Sequence, residues 1–139
     1  MFDLNGFKAI NDRYGHSQGD QLLKAVAQRM RATTRDSDIV CRWGGDEFVI
    51  ILKILKLSSR ADAEARARQI QVRAFGEFIL DRGPQGIRVS TGACVGVAEY
   101  ETGETVAEFF ERADQLLLEE KRSRSAFAHP LRRRRGPNH

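Results

Sequence analysis

The sequence predicts a single α+β domain with a mostly antiparallel central sheet flanked by helices. Two compact β-prone runs, residues 39–43 and 48–52, surround the turn 44–47, and a second pair surrounds the turn 83–86. Short β-prone runs joined by tight Gly-containing turns are typical of antiparallel hairpins. The stretches before the first hairpin and after the second carry apolar residues at three- and four-residue spacing, which indicates helices with one buried face. Hairpins mixed with helices in this way favour an antiparallel sheet packed against helices.

In the first half of the chain, residues 1–4 are interpreted as the end of a strand. A short helix is expected over residues 7–13, ended by Gly15. A longer helix is expected over about 20–33. Its predicted core face consists of Leu22, Leu23, Val26 and Met30.

In the second half, Ser59 with Asp62 predicts the start of a helix that ends near Phe75. Strands are expected over residues 78–80 and 87–98. Thr105 and Glu108 then form the capping-box pattern that precedes a last helix. The predicted core face of that helix consists of Phe109, Ala113, Leu116 and Leu117. The apolar stretch 54–57 fits neither a helix nor a strand pattern, and residues 127–139 are expected to form a basic, disordered tail behind a domain of residues 1–126.

Composition excludes several classes of protein. The chain has 139 residues, enough for one core, with 41% apolar and 30% charged residues. Its net charge of +4 comes from four arginines at 132–135, because the remaining Lys and Arg residues balance the 19 Asp and Glu residues. That basic stretch lacks aromatic residues on which bases would stack, so we expect no nucleic-acid partner.

Cysteine use and hydropathy point to the cytoplasm. Cys41 and Cys94 lie in apolar, strand-like surroundings, which favours buried reduced thiols over a disulfide, and the absence of a CxxC pair excludes a zinc site. No apolar run reaches membrane-spanning length, and no signal peptide opens the chain.

Three motifs carry candidate chemistry, and each has an ordinary structural alternative. The turn at residues 44–48 reads Gly-Gly-Asp-Glu-Phe. A Gly-Gly pair suits a tight hairpin by itself. However, adjacent carboxylates repel each other, so a bound cation is a natural reason to hold Asp46 and Glu47 at the tip.

The other two motifs lie near the start of the chain. Asp3 stands at a strand end before Gly6 and a helix start, where a carboxylate can hold Mg²⁺ and free backbone N–H groups can receive phosphate. The alternative is helix capping by Asn5. Residues 15–20 read Gly-His-Ser-Gln-Gly-Asp. The structural alternative for this motif is that its glycines break one helix and Asp20 caps the next.

Together, the order Asp-Leu-Asn-x-Phe-Lys-x-Ile-Asn-Asp, Gly-His-x-x-Gly-Asp and Gly-Gly-Asp-Glu-Phe closely resembles the GGDEF family of diguanylate cyclases, from Asp3 to about Lys121. The resemblance implies a fold like that of nucleotide cyclases and the polymerase palm. It also implies Mg²⁺-dependent (or Mn²⁺-dependent) condensation of two GTP molecules into cyclic di-GMP with release of pyrophosphate. Since each domain would hold one GTP, the resemblance implies a homodimer for catalysis.

Residue roles follow from matching positions in the family pattern. Asp3, the Leu4 carbonyl and Asp46 match the metal ligands, and Asp46 and Glu47 match the catalytic acids. The positions that match substrate-binding residues are Gly6, Phe7, Lys8, Asn11, Asp20, Gly45 and Lys121. Among these, Asn11 and Asp20 would read guanine, because an amide can pair with its acceptors and a carboxylate with its N1 and N2 donors.

Arg35 and Asp38 match the family's RxxD inhibitory site, at which cyclic di-GMP binds. An arginine fork suits phosphate and the guanine edge. The structural alternative is an exposed i,i+3 ion pair that contributes little to stability.

The chain also departs from the family pattern. Ser125 replaces an arginine expected near the γ-phosphate, and Leu118 replaces a tyrosine. We further expect the domain to lack the family's first helix and most of its first strand. These departures support a second hypothesis, namely a catalytically impaired GGDEF module that binds GTP or cyclic di-GMP as a signalling effector.

Overall fold

The computed structural model describes residues 1–53 and 59–127, with Phe127 described by its backbone alone. All of the apolar stretch 54–57 therefore lies outside the described residues, as do residues 128–139 of the predicted basic tail, which include the four arginines at 132–135. The elements run in the order β1 (Phe2–Leu4), α1 (Phe7–Tyr14), α2 (His16–Thr33), β2 (Ile39–Gly44), β3 (Glu47–Ile51), α3 (Arg60–Ala74), β4 (Gly76–Leu80), β5 (Ile87–Thr91), β6 (Ala93–Val95) and α4 (Val106–Phe127).

The main sheet is antiparallel throughout, in the strand order β2-β3-β1-β6. The central strand β1 pairs with β3 through Phe2 and Phe48, and with β6 through Phe2 and Val95. Phe2, Phe48 and Val95 are all buried, since both neighbours of a central strand can contribute to the core. The predicted α+β class with an antiparallel sheet is confirmed.

The core joins this sheet to α2 and α3. The predicted face of α2 is confirmed, because Leu22, Leu23, Val26 and Met30 are at most 4% exposed. Helix α3 contributes small residues and Ile70 to the same cluster. Small side chains bring α3 close to its neighbours, and its other faces carry the Arg and Gln residues seen in the sequence.

The predicted strand over residues 87–98 was wrong as a single element. The chain forms β5, which pairs with β4 in a separate two-stranded sheet, and then crosses at Gly92 into β6 of the main sheet. At the crossing, the Asn5 N–H donates to the Gly92 carbonyl at 2.9 Å, and the Thr91 hydroxyl donates to the Asn5 carbonyl at 3.0 Å. These bonds tie the crossing to the end of β1.

Helix α2 begins at His16, four residues before the predicted start. Gly15, with φ at +95°, reverses the chain in one residue, and its carbonyl already accepts from the Gly19 N–H at 3.2 Å. Asp20 therefore lies inside the first turns of the helix, and the alternative in which it caps the helix is wrong.

The capping pattern before α4 is confirmed. The Thr105 N–H donates to the Glu108 carboxylate at 2.7 Å, and the Glu108 N–H donates to the Thr105 hydroxyl at 3.3 Å. Leu117 is 1% exposed, while Phe109, Ala113 and Leu116 are half-buried. The capping box thus fixes the start of α4, and the buried Leu117 fixes its middle. The second half of the helix then reaches the end of β1.

Both cysteines are free thiols, as predicted. Cys94 is buried, whereas Cys41 is only half-buried because β2 is an edge strand of the main sheet.

Candidate functional site

Acidic residues from two distant stretches meet beside the β2–β3 turn. Asp3, in the middle of β1, is the antiparallel partner of Glu47, the first residue of β3. The Leu4 N–H donates to the main-chain carbonyl of Asp46 at 3.1 Å. Directly opposed residues in an antiparallel pair have Cβ atoms about 4.5–5.5 Å apart. The structure therefore brings the acids of the first and third motifs together.

Helix α4 adds a positive charge to this acidic pair. The Lys121 ammonium lies 2.9 Å from Oδ2 of Asp3. The position of the helix is set by Leu117, one turn earlier, which is buried. It is also set by Gly96, because a Cβ on that residue would lie only 2.3 Å from the Ala113 carbonyl oxygen. The helix backbone therefore approaches the sheet side closely and delivers Lys121 to Asp3.

The electrostatics of the site favour a bound cation. Burial raises the pKa of the Glu47 carboxyl, and the negative charges of Asp3 and Asp46 raise it further, while Lys121 opposes them. Burial disfavours the charged form of Lys121, but its hydrogen bond to Asp3 and the negative charges around it outweigh burial and raise the pKa of the lysine. Burial and neighbouring negative charge thus act in the same direction on the pKa of Glu47, whereas the contact with Asp3 and the negative charges prevail over burial at Lys121.

The turn that carries Asp46 is open on its outer side. Gly45 has φ at +25°, and a Cβ placed on it would meet no heavy atom within 4 Å. The Arg42 guanidinium donates from Nε to the Gly45 carbonyl at 3.0 Å and so holds the turn from β2. Open space above a fixed turn is what a ligand that passes over Gly45 would need.

The start of α1 presents unbonded backbone donors. Gly6 is the N-cap, with φ at +70°, and no side chain caps the helix. The alternative in which Asn5 caps it is wrong, because Asn5 Oδ1 accepts instead from the Cys94 thiol at 3.4 Å. The first N–H groups of a helix have no partner inside it. Gly6, Phe7 and Lys8 thus supply donors in the three residues that follow Asn5.

Asn11 and Asp20 lie on adjacent helices. Asn11 of α1 packs against Gly19 of α2, the residue before Asp20. Asp20 is exposed, whereas Oδ1 of Asn11 is buried without a hydrogen-bond partner among the described residues. The two residues proposed to read guanine are therefore neighbours in space, although eight residues separate them in the chain.

The loop that holds Arg35 and Asp38 does not contain the exposed ion pair that was the structural alternative for these two residues. Asp38 is 4% exposed, and its two carboxylate oxygens accept from the backbone N–H groups of Arg35, at 2.9 Å, and Lys53, at 3.1 Å. The alternative of an exposed Arg35–Asp38 ion pair is therefore wrong. The Arg35 side chain is exposed, so Asp38 shapes the loop and Arg35 faces solvent from it.

Two residues that position the site were missed at the sequence level. Arg42 holds the Gly45 carbonyl, and Gly19 makes room for Asn11. Arg42 is an ordinary strand residue by pattern. Gly19 lies just before the predicted start of the longer helix, where a glycine suits a break between helices, so its packing role became visible only with the observed start of α2 at His16.

Comparison with known families decides the identity of the fold. The family model described as "Diguanylate cyclase, GGDEF domain" matches residues 1–126. The chain belongs to the GGDEF family.

Several GGDEF proteins are similar in sequence. The bifunctional diguanylate cyclase/cyclic di-GMP phosphodiesterase MucR of Pseudomonas aeruginosa is 39% identical over 122 residues, which is 87% of this chain and 17% of MucR. The diguanylate cyclase DgcM of Escherichia coli K12 is 38% identical over 121 residues, 87% of this chain and 27% of DgcM. The chain thus spans well under half the length of these curated relatives.

Solved GGDEF structures share the fold. The isolated GGDEF domain of TpbB from P. aeruginosa superposes with a TM-score of 0.77 at 38% identity, covering 88% of this chain and 69% of that one. The GGDEF domain of DgcB from Caulobacter crescentus, solved in complex with cyclic di-GMP, gives a TM-score of 0.74 at 28% identity, covering 88% and 70%.

The departures from the GGDEF pattern lie on the last turns of α4. Ser125 is exposed, and the neighbouring Arg124 has its Nε 3.9 Å from Glu120 rather than beside Asp3. Arg124 therefore does not replace the expected arginine. Leu118, in place of a tyrosine, is 37% exposed. Across residues 1–53 and 59–127, no helix combines the length and apolar character needed to cross a bilayer.

The GGDEF family implies a divalent cation, and the donor set here suits one. Within the described part of the chain, no three His, Cys, Asp or Glu side chains surround a common point. Mg²⁺ does not require such a cluster, because it keeps several waters and is bound through one or two carboxylates plus substrate phosphates. Asp3 and Asp46 with the Leu4 carbonyl are hard oxygen donors of this kind, in a place where negative charge is already in excess.

Proposed function

We propose that this GGDEF domain binds GTP and, when two copies face each other, condenses two GTP molecules into cyclic di-GMP with release of pyrophosphate. The observation that carries the proposal is the convergence of Asp3, the Asp46–Glu47 turn and Lys121 at one place. These residues come from three separate parts of the chain. Together they form an acidic site beside an open turn, with the positively charged side chain of Lys121 next to the acids.

Asp3 and Asp46, with the Leu4 carbonyl, would hold Mg²⁺ or Mn²⁺. When bound, such ions polarise the α-phosphate and lower the pKa of the attacking 3′-hydroxyl. Glu47 would accept the proton of that hydroxyl, and the upward shift of its carboxyl pKa, caused by burial and the neighbouring acids, supports this role.

The remaining residues bind and orient GTP. The uncapped N–H groups of Gly6, Phe7 and Lys8 would receive phosphate oxygens at the start of α1, where the helix dipole favours an anion. Lys121 would move from Asp3 to the terminal phosphates. Gly45 leaves the space through which the phosphates pass.

Asn11 and Asp20 would select guanine over adenine. A carboxylate accepts from the N1–H and the 2-amino group of guanine, and adenine lacks that pair of donors. The exposed position of Asp20 next to the half-buried Asn11 supports a base that enters between α1 and α2 from solvent.

Catalysis in this proposal requires a homodimer, because each site holds one GTP and each 3′-hydroxyl attacks the GTP of the other site. Free thiols at Cys41 and Cys94 suit the reducing environment of the cytoplasm, where we place the reaction.

Product inhibition is proposed at the Arg35–Asp38 loop. The exposed Arg35 guanidinium would bind a phosphate or guanine edge of cyclic di-GMP. Asp38, whose carboxylate is occupied by backbone donors, would contribute by fixing the loop conformation rather than by direct contact.

A second candidate is an effector that binds GTP or cyclic di-GMP without turnover. The observation that favours it is the end of α4, where Ser125 offers no charge and Arg124 faces Glu120. Fewer cations near the terminal phosphates would weaken the hold on GTP without affecting the inhibitory loop.

One experiment separates these functions. The chain is incubated with GTP and Mg²⁺, and cyclic di-GMP is measured by chromatography, while GTP binding is measured by calorimetry. The cyclase is supported by product that Asp46→Asn abolishes and that Asp81→Asn, an exposed matched control, does not change. Binding of GTP or of added cyclic di-GMP, also measured by calorimetry, without product supports the effector. The absence of product and of binding to either nucleotide contradicts both functions.

A further inference from the structure

Gly19 is the closest point of contact between α1 and α2. A Cβ built on Gly19 would lie 1.8 Å from Oδ1 of Asn11 and 2.9 Å from its Cγ. It would also lie 3.2 Å from Cζ of Phe7. The first two distances are far inside van der Waals contact, so any other residue at this position would displace the Asn11 amide.

The backbone at position 19 does not itself require glycine. Gly19 lies inside α2, and it is absent from the residues with positive φ. A glycine inside a helix is less favourable than alanine, because it has more conformational freedom to lose. The reason for glycine is therefore the space above its Cα, and that space is filled by Asn11.

The side-chain oxygen of Asn11 is held in place by packing against α2. Its Oδ1 is buried and has no hydrogen-bond partner among the described residues. Buried amide groups are normally hydrogen-bonded, so an unbonded one is an exception that calls for a reason. Here the Oδ1 atom of Asn11 lies against Gly19, next to Asp20, and only glycine leaves room for it at that position.

We propose that Gly19 is a positioning residue for base recognition. Its missing side chain lets the Asn11 amide lie against α2, so that Asn11 and Asp20 are held side by side as one guanine-reading pair. The proposal rests on the proposed function, in which these two residues contact GTP. The specificity for guanine then depends on a residue that does not touch the nucleotide.

The test compares Gly19→Ala, Asn11→Ala and the double variant with the unaltered chain. Ser17→Ala is the matched control, because it also places alanine in the first turns of α2 but lies on the exposed surface. Dissociation constants for GTP and ATP are measured by calorimetry, and the melting temperature Tm is measured by circular dichroism.

We expect Gly19→Ala and Asn11→Ala each to weaken GTP binding roughly tenfold, the effect of one lost hydrogen bond. ATP binding should stay unchanged, so the preference for GTP falls. The double variant should bind GTP no more weakly than Asn11→Ala, because the amide that Gly19 positions is already gone. Ser17→Ala should leave the preference for GTP as it is.

The melting temperatures give an answer that does not depend on nucleotide. Gly19→Ala should lower the Tm of the unaltered chain. In the Asn11→Ala background the same substitution should raise the Tm, because the clash with the amide is removed, the Phe7 ring needs to yield by only a few tenths of an ångström, and alanine favours the helix. If Gly19→Ala fails to fold, recovery of the fold in the double variant gives the same support.

Three results would overturn the inference. Additive losses of Tm in the double variant would show that Gly19 acts independently of Asn11. Equal losses of GTP and ATP binding would show a general structural effect. GTP binding that Gly19→Ala leaves unchanged would overturn this inference while the proposed function stands, whereas no GTP binding by the unaltered chain would overturn the guanine role together with the proposed function.

Discussion

Arg68 of α3 holds Glu120 of α4 through two parallel hydrogen bonds, of 3.0 Å to Oε1 and 2.7 Å to Oε2. Oε1 of Glu120 also accepts from the Val95 N–H of β6 at 3.3 Å. One carboxylate thus joins two helices and the main sheet. Because Glu120 immediately precedes Lys121, this junction also sets the end of α4 that reaches Asp3.

The junction predicts a pH-dependent stability. Burial tends to raise the pKa of Glu120, but the hydrogen bonds and charge of Arg68, helped by Val95, outweigh burial and lower it. Because the pKa of Glu120 is lower in the folded state, its ionised carboxylate stabilises the fold fully above the unfolded-state pKa, about 4.3. That stabilisation is lost as the pH falls through the folded-state pKa. Glu120→Gln should destabilise the domain by about 1 kcal/mol at pH 7, since Arg68 is half exposed.

The measurement is urea unfolding of both chains between pH 7 and pH 3. The difference in unfolding free energy should shrink toward the acid end. Glu111→Gln removes an exposed carboxylate from the same helix and serves as the control. A difference that stays constant across this range would contradict the role given to Glu120.

Asp38 is predicted to stabilise the fold, and Arg35 is predicted to bind cyclic di-GMP. Asp38→Ala leaves the Arg35 and Lys53 N–H groups without their acceptor and should cost about 2–4 kcal/mol in unfolding free energy. Arg35→Ala should change that energy by less than about 0.5 kcal/mol but should relieve inhibition by added cyclic di-GMP. Urea unfolding and a product-inhibition assay test the pair, and inhibition unaltered in Arg35→Ala would exclude the inhibitory site.

Lys121 and a divalent cation are predicted to compete for Asp3. Without nucleotide, Lys121→Met should bind Mn²⁺ more tightly, because the ammonium 2.9 Å from the carboxylate is removed. With Mg²⁺ present, the same variant should bind GTP more weakly, by roughly tenfold for one lost charged contact. Electron paramagnetic resonance follows the Mn²⁺ and calorimetry the GTP. Lys24→Met, on the exposed face of α2, should change neither quantity.

Gly96 is predicted to be intolerant of any side chain. A Cβ there would lie 2.3 Å from the Ala113 carbonyl oxygen and 2.4 Å from the Leu117 nitrogen, both of which belong to the backbone of α4. Gly96→Ala should therefore cost about 2–4 kcal/mol in unfolding free energy. Gly44→Ala is the control, since the nearest atom to its Cβ would be 4.0 Å away. Equal stability of the two variants would mean that α4 is free to shift.

Local patterns in the sequence predicted the elements well. The face of α2 and the capping box of α4 were confirmed, because spacing and capping depend on neighbouring residues. The wrong elements depended on distant contacts. A single strand over residues 87–98 was a reasonable reading of an apolar run, and nothing local reveals that Gly92 carries the chain from one sheet to another.

The site was predicted in part. The motifs indicated the acids. The pairing of Asp3 with Glu47, however, follows from the register of two strands, which could not be predicted from the sequence. Asp38 was assigned with Arg35 to the inhibitory site, with an exposed ion pair as the alternative, and its bond to the Lys53 N–H, fifteen residues away, could not be predicted from either interpretation. The buried oxygen of Asn11 likewise became visible only when α1 and α2 were packed together.

The contact between Asp3 and Lys121 joins the first strand to the last helix. It closes a loop that contains nearly all of the described chain, and loops of that length form late and at an entropic cost. A form in which the second half of α4 is not packed therefore lacks the contact of Lys121 with Asp3. Local fraying of the second half of α4 would remove it while most of the core stays intact, so nucleotide binding is expected to report on the last helix before global unfolding does.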